Sequence, residues 1–357
     1  MNLADILARR SHPGAGVLFE LTRRCPLSCS HCVTNSTLQS PDGRPETFLE
    51  FTGTFSVDDH PDVVIMSGGE PLLHAELVRD VAERARRVGT CSYVLTGGYF
   101  VRRGAPPPAV AAALDAVDHV AVSLDPFHER EVPRDAVLRL LGELLRRGKA
   151  VSVQITAPPG DPYPARVTAE LDRLFQGRVP ALVVPLRRAG RAAIGGLPTA
   201  PTPPAGPTAS AEPGPPAATG RLAATGRLAA TGTYAAPPAP CAMAAWPVVT
   251  CTGAVTACCN HHVVERPGPS HLVLGHARDG WPAVRQRCVR SAPLRAIRLF
   301  GPRHVMERQG GVPAAGYCGT CHALPRIPEF ERRAEELMSS PVGEAMEALL
   351  FGGPPCG

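Results

Sequence analysis

"ELTRRCPLSCSHCV", residues 20–33, carries Cys25, Cys29 and Cys32 in the spacing C-x3-C-x2-C. It continues directly from the β-like run "GVLFEL" (16–21). Three thiols crowded at the end of a strand suit metal chemistry better than core packing. A structural zinc site takes four ligands in a tetrahedron, and no fourth cysteine lies close by in the chain. His31 adjoins Cys32 and would need an awkward turn to serve. A bacterial ferredoxin run uses C-x2-C spacing with a fourth cysteine before proline, which this stretch lacks. A [4Fe–4S] cubane held by three thiolates leaves one iron open, and an open position is where a metal acts on a ligand.

Five further β-like runs lie downstream: "DVVIM" (62–66), "SYVLT" (92–96), "HVAVSL" (119–124), "AVSVQIT" (150–156) and "ALVVPL" (181–186). They are rich in Val, Ile and Leu, and most lack alternation, as strands covered on both faces do. Helical patterns separate them. "HAELVRDVAERARRVG" (74–89) puts Leu77, Val78, Val81 and Ala85 on one face. "RDAVLRLLGELLRRG" (134–148) does so with Val137, Leu138, Leu141 and Leu145. Gly89 and Gly148 fit the helix C-terminal position. The expected fold class is α/β: a partial (β/α)6 barrel over residues 1–195, with the cysteines on its catalytic face.

Composition narrows the function. The chain is 44% hydrophobic over 357 residues, enough for a sizeable core. No run of eighteen apolar residues exists, and "MNLADILARRSHPG" lacks the apolar stretch of a secretory signal. The expectation is a cytoplasmic protein with no membrane partner. The net charge is +5, and Lys149 is the only lysine. An arginine skew beside abundant Ala, Pro and Gly reads as coding bias. With aromatics at 5%, no nucleic-acid partner is expected. Twelve cysteines in such a compartment point to metal or redox chemistry, not to disulfides. Residues 196–240 are rich in Pro, Ala and Gly, repeat "AATGRL" at 217–222 and 223–228, and have no apolar period. They are expected to form a disordered linker. A cysteine-rich α+β unit is expected over 241–325, and a C-terminal helix over 326–357.

The C-x3-C-x2-C loop after a first barrel strand resembles that of the radical SAM superfamily. The resemblance covers residues 16 to 192. It implies a [4Fe–4S] cluster on Cys25, Cys29 and Cys32, with the open iron chelated by S-adenosylmethionine. It also implies reductive cleavage of that cofactor to a 5′-deoxyadenosyl radical, which abstracts a substrate hydrogen. "SGGEP" (67–71) is similar to the family's GGEP motif and implies cofactor contacts from Gly68, Gly69, Glu70 and Pro71. "VSLDPFHE" (122–129) implies the same for Ser123 and Asp125. "LTGGYF" (95–100) resembles the turn after the third strand, and "VVPLRRAGRA" (183–192) the segment lining the adenine.

Beyond the linker the pattern is C-x11-G-x4-C, from Cys241 through Gly253 to Cys258, and later C-x2-C at Cys318 and Cys321. This resembles a twitch domain, the short form of the SPASM extension. It implies an auxiliary [4Fe–4S] cluster on Cys241, Cys258, Cys318 and Cys321, with a hairpin around Thr252-Gly253. Cys251 and Cys259 are rival ligands, and a four-thiolate zinc site is the alternative. Cys91, Cys288 and Cys356 are left over, with Cys288 a candidate hydrogen-donating thiol. His261 and His262 read as solvated loop residues.

The resulting expectation is a radical SAM oxidoreductase or maturase that modifies a ribosomal peptide. A small-molecule dehydrogenase or epimerase of the amino-sugar type is the alternative, and a non-catalytic iron–sulfur scaffold the third reading. A reductant such as flavodoxin or ferredoxin is implied. Fifteen residues precede Gly16, too few for a precursor-binding module, and the expectation allows for a separate precursor-binding protein.

Overall fold

The structure, a computed structural model, describes residues 1–187, 189–194, 239–260, 263, 268–314 and 316–351. All six β-like runs are strands: β1 (Gly16–Thr22), β2 (Val63–Gly68), β3 (Cys91–Thr96), β4 (His119–Ser123), β5 (Ala150–Ala157) and β6 (Ala181–Pro185). They are parallel and stand in chain order, each hydrogen-bonded to the next. Helices α2 (Pro45–Thr52), α3 (Ala75–Arg87), α4 (Pro108–Ala116), α5 (Arg134–Arg146) and α6 (Tyr163–Phe175) make the crossovers, and α1 (Leu3–Arg9) precedes β1. Sequential parallel strands with helical returns are the winding of a (β/α) barrel. β1 and β6 do not pair, so the barrel is partial, as expected.

Alternation along the strands sorts two apolar layers. Val17, Phe19 and Leu21 of β1 pack with Val64 and Met66 against Phe48 and Phe51 of α2. Val63, Tyr93 and Ala121 face the other way and meet Ile6 of α1 and Trp246. Gly16 makes this possible: a Cβ there would stand 2.5 Å from the Trp246 ring. The indole N–H is satisfied by the carbonyls of Arg9 and His12. One end of the sheet is thus plugged by apolar groups.

Helix faces follow the expected period with one rotation. In α3 the buried residues include Leu77, Val78, Val81 and Ala85, as expected. In α5 the buried face is Val137, Leu140, Leu141 and Leu144, while Leu138 and Leu145 are only partly covered. A leucine-rich helix offers two overlapping stripes of the same period, and packing selects one.

After the linker, β7 (Val248–Val249) adds to β1 in parallel. β8 (Ala254–Thr256) and β9 (Val273–His276) follow antiparallel, completing a nine-stranded sheet. The expected hairpin turns at Gly253, whose φ of +84° suits glycine. The cysteine-rich segment therefore extends the barrel sheet rather than forming a sheet of its own. Helices α7 (Arg191–Ile194), α8 (Gly280–Arg290), α9 (Ala292–Arg308), α10 (Tyr317–Ala323), α11 (Phe330–Met338) and α12 (Pro341–Phe351) complete the chain. The one C-terminal helix expected over 326–357 is two, because Pro341 opens a new helix where the old one stops at Ser339. Of the expected linker, residues 196–238 lie outside the described residues, as do His261, His262 and Cys356. Among the described residues no helix is long and apolar enough to cross a membrane.

Candidate functional site

The C-terminal ends of parallel strands form one rim, and the loops there carry most residues singled out from the first half of the sequence. The loop after β1 folds on itself. Cys25 N–H donates to the Thr37 carbonyl at 3.1 Å, and Arg23 N–H to that of Pro41 at 3.0 Å. Arg24 pairs with Asp42, which His74 also reaches at 2.7 Å. Cys29 is buried, and Cys25 and Cys32 are half-buried. Burial, with Glu70 and the other two sulfurs nearby, pushes the Cys25 thiol up to about 12. Burial acts on Cys32 too, but Thr34, Ser36 and the Arg191 charge together bring it below an ordinary thiol. Ser30 Oγ and His31 Nδ1, between the second and third cysteines, are buried without a hydrogen-bond partner.

Two flanking segments grip this loop. From beyond β6, Arg191 donates through Nε to the Cys29 carbonyl (2.9 Å), through Nη1 to that of Ser36 (2.7 Å), and through its backbone N–H to that of Cys32 (2.9 Å). Gly190 permits this approach, since its Cβ would fall 2.3 Å from the Cys32 carbonyl. From the end of β4, Asp125 builds a turn. Its Oδ1 accepts the backbone N–H groups of Phe127 and His128, and its Oδ2 the His128 Nδ1–H at 2.9 Å. His31 stacks on Phe127 at 4.7 Å and meets the His128 ring edge-on at 4.9 Å. Burial opposes a charge on His128, but hydrogen bonds to Asp125 and Cys29 hold its pKa up at about 10. Burial instead lowers His31 to about 4.

The GGEP residues have a structural task. A Cβ on Gly68 would lie 2.2 Å from the Thr22 carbonyl, and one on Gly69 2.3 Å from that of Arg24. Only glycines let the end of β2 close on the root of the cysteine loop. Glu70, fully buried, accepts from the backbone N–H groups of Leu72 (3.0 Å) and Gly97 (2.9 Å) and from Thr96 Oγ1 (2.8 Å). Burial outweighs these bonds and raises its carboxyl to about 7. Glu70 thereby fastens the turn after β3 to that after β2. Pro71 is buried, opening the one-turn helix that follows Glu70, and Ser123 is half-buried at the end of β4.

The later described cysteines sort into a set of four and three outsiders. Cys241, Cys258, Cys318 and Cys321 lie in one neighbourhood: burial raises the Cys321 thiol most, and the other three sulfurs add to it. Cys258 is raised by burial, by adjacent Cys259, and by Cys241 and Cys318. Donors already point at these sulfurs. Asn260 offers its backbone N–H to Cys258 Sγ (3.4 Å) and its amide to Cys318 Sγ (3.3 Å). His271 Nε2 is 3.6 Å from Cys321 Sγ. Cys251 lies apart, its backbone N–H donating to Glu20 Oε2 at 3.1 Å. Cys259 faces Arg10 instead. Cys288 is fully buried in α8, its thiol on the Ala245 carbonyl, a packing position. Cys91 sits at the start of β3, the opposite end from the loop.

Both sulfur sets have the donor chemistry of iron–sulfur ligation. The first is a three-thiol loop with two orphaned polar atoms. The second is four neighbouring thiols whose charges would repel without a cation between them. Sequence reasoning missed Gly190, Arg191 and His128. The spacing D-x-x-H in "SLDPFHE" was the available signal for His128, since an aspartate after a strand builds such turns.

Residues 19–170 match the family described as Radical SAM superfamily. Pre-heme d1 synthase of Dinoroseobacter shibae is 37% identical over 32% of this chain and 28% of its own length. PqqA peptide cyclase of Streptomyces rochei is 36% identical over 31% of this chain and 29% of its own. The chain thus spans less than a third of these two relatives. The structure of Streptococcus suis SuiB bound to the precursor peptide SuiA aligns with a TM-score of 0.41 at 12% identity, over 52% of this chain and 42% of that one.

Proposed function

We propose that residues 19–170 form a radical SAM domain and that this chain is a radical SAM enzyme that modifies a ribosomally made peptide. Cys25, Cys29 and Cys32 would hold three irons of a [4Fe–4S] cluster, leaving the fourth to S-adenosylmethionine. When bound, the reduced cluster and S-adenosylmethionine together supply a 5′-deoxyadenosyl radical that takes a hydrogen atom from substrate. The chain's own residues do the rest. Arg191 and the Asp125 turn hold the loop in shape, and Glu70 joins two rim turns beside Cys25. Gly68, Gly69, Glu70, Pro71, Ser123 and Asp125 border the space assigned to the cofactor.

The carrying observation is the clamp: three thiols on one rim loop, gripped by Arg191 at the carbonyls of Cys29 and Ser36. A structural metal needs no such open rim. Cys241, Cys258, Cys318 and Cys321 would hold an auxiliary [4Fe–4S] cluster. A flavodoxin- or ferredoxin-type reductant and a separate precursor-binding protein are the proposed partners. The similarity to PqqA peptide cyclase supports a peptide substrate. The similarity to pre-heme d1 synthase supports the second reading, a small molecule.

Anaerobically reconstituted protein, given dithionite and S-adenosylmethionine, should release 5′-deoxyadenosine and methionine. Mass spectrometry of short peptides encoded beside the gene should then show a mass change. A loaded cluster that binds S-adenosylmethionine but yields no 5′-deoxyadenosine would leave the scaffold reading standing. Cleavage with no altered peptide, but with an altered small molecule, would establish the second.

A further inference from the structure

β6 ends the nine-stranded sheet, so one of its sides faces no other strand. Two ladder bonds fix which groups lie there. Val153 N–H donates to the Pro180 carbonyl at 2.9 Å, and Leu186 N–H to the Ala157 carbonyl at 2.9 Å. The N–H and C=O of one residue leave a strand on the same side, and successive residues alternate sides. Even-numbered residues of β6 therefore bond β5. Ala181, Val183 and Pro185 turn their main-chain groups outward, where they meet no partner among the described residues. The edge is uncovered as well as unpaired: Val183 is 48% exposed, and Ala181, Leu182 and Val184 are half-buried. Such an edge is a template for another strand.

The edge also leads into the site. Ser123, Gln154 and Leu182 stand in register across β4, β5 and β6, with their side chains on one face. A strand added beyond β6 continues that row, so every second side chain of it turns to the face that carries Ser123 at the rim. The end of β6 runs on to Arg187 and then to Arg191, which grips the cysteine loop. Charge marks the same stretch. Residues 173–194 contain five arginines and no acid. The Arg187 guanidinium, half-buried at the end of the edge, has no partner among the described residues.

We infer that the free edge of β6 binds the substrate peptide as an added, extended strand, and that the peptide carries carboxylate side chains which Arg187 receives. The inference rests on the proposal that the substrate is a peptide. Main-chain bonds to Ala181, Val183 and Pro185 supply affinity whatever the peptide's sequence, and the arginines select an acidic one. The pairing register then decides which peptide side chain turns inward.

The probe is a synthetic copy of the peptide whose mass the enzyme changes, added to full-length, iron-loaded protein. Hydrogen–deuterium exchange should slow at the amides of Ala181 and Val183. The amides of Leu182 and Val184, already bonded to β5, should hardly respond. N-methylation of the peptide's backbone nitrogens, one at a time, should weaken binding at every second position, by about fivefold each. Arg187→Ala should weaken binding of the acidic peptide several-fold, and that of an analogue with amides in place of its carboxylates hardly at all. Ala181→Pro removes an outward N–H without touching the β5 ladder and should weaken binding too. The N-methyl series uses wild-type protein, so it decides even where a variant fails to load iron. A modified peptide that shows no alternation, or that leaves Ala181 and Val183 exchanging as before, would overturn this inference alone. The absence of any modified peptide would overturn the proposed substrate and this inference with it.

Discussion

Arg191 donates to the backbone carbonyl of Cys29 at 2.9 Å across 162 residues of chain. The last barrel segment thereby fixes the shape of the first loop. Arg191→Ala leaves the carbonyls of Cys29 and Ser36 without their charged donor, a loss of about 2 kcal/mol or more. It should lower iron retained at the first site and the yield of 5′-deoxyadenosine, while the second site stays loaded. Arg191→Lys should recover only part, because an ammonium cannot span both carbonyls with a rigid fork. Unchanged iron retention in the alanine variant would dismiss the clamp.

Gly69→Ala distinguishes a backbone requirement from a cofactor contact. Its Cβ would stand 2.3 Å from the Arg24 carbonyl, so β2 and the cysteine loop must separate. Overpacking of this kind costs about 1–3 kcal/mol. The loss should be visible as a lower denaturation midpoint in protein stripped of iron and S-adenosylmethionine. A stripped variant as stable as wild type would return Gly69 to a role in cofactor contact alone.

His119 supplies a pH dependence far from the sulfur sites. It is fully buried on β4, stacked on Tyr93 at 4.8 Å and bonded to Ser152 Oγ at 2.8 Å. Burial lowers its pKa from 6.5 to about 4. From above the unfolded value down to the folded one, the unfolded chain takes up a proton that the native state refuses. Stability should therefore fall as pH drops from 6.5 towards 4, by about 3 kcal/mol from this residue. Urea denaturation of iron-free wild type and His119→Gln at pH 7 and pH 5 checks this. The variant should lose less stability between the two pH values, and parallel losses would count against the assignment.

Two clusters require about eight irons per chain. Replacing Cys25, Cys29 and Cys32 by Ala should remove about half and abolish S-adenosylmethionine cleavage. Replacing Cys318 and Cys321 should remove the other half and spare uncoupled cleavage. Cys251→Ala and Cys288→Ala should change neither, because Cys251 lies against Glu20 and Cys288 is packed in α8. Zinc in place of iron at the second site would establish the four-thiolate alternative.

The six strands, the glycine helix ends and the C-x3-C-x2-C loop were legible in the chain alone, because each depends on residues a few positions apart. Strand period, β-branched runs and short cysteine spacing are local, and local geometry constrains them before anything packs. Which stripe of α5 turns inward was not legible, since Leu138 and Leu140 satisfy the same period. Nor was it legible which cysteine beside the hairpin joins the second set. Cys251 and Cys258 are seven residues apart in sequence. Only the docking of β7 on β1 turns Cys251 towards Glu20 and leaves Cys258 with Cys241, Cys318 and Cys321. The grip of Arg191 and the turn of Asp125 and His128 on the cysteine loop belong to the same class. They are contacts between segments that no short window of sequence contains, and tertiary packing alone decided them.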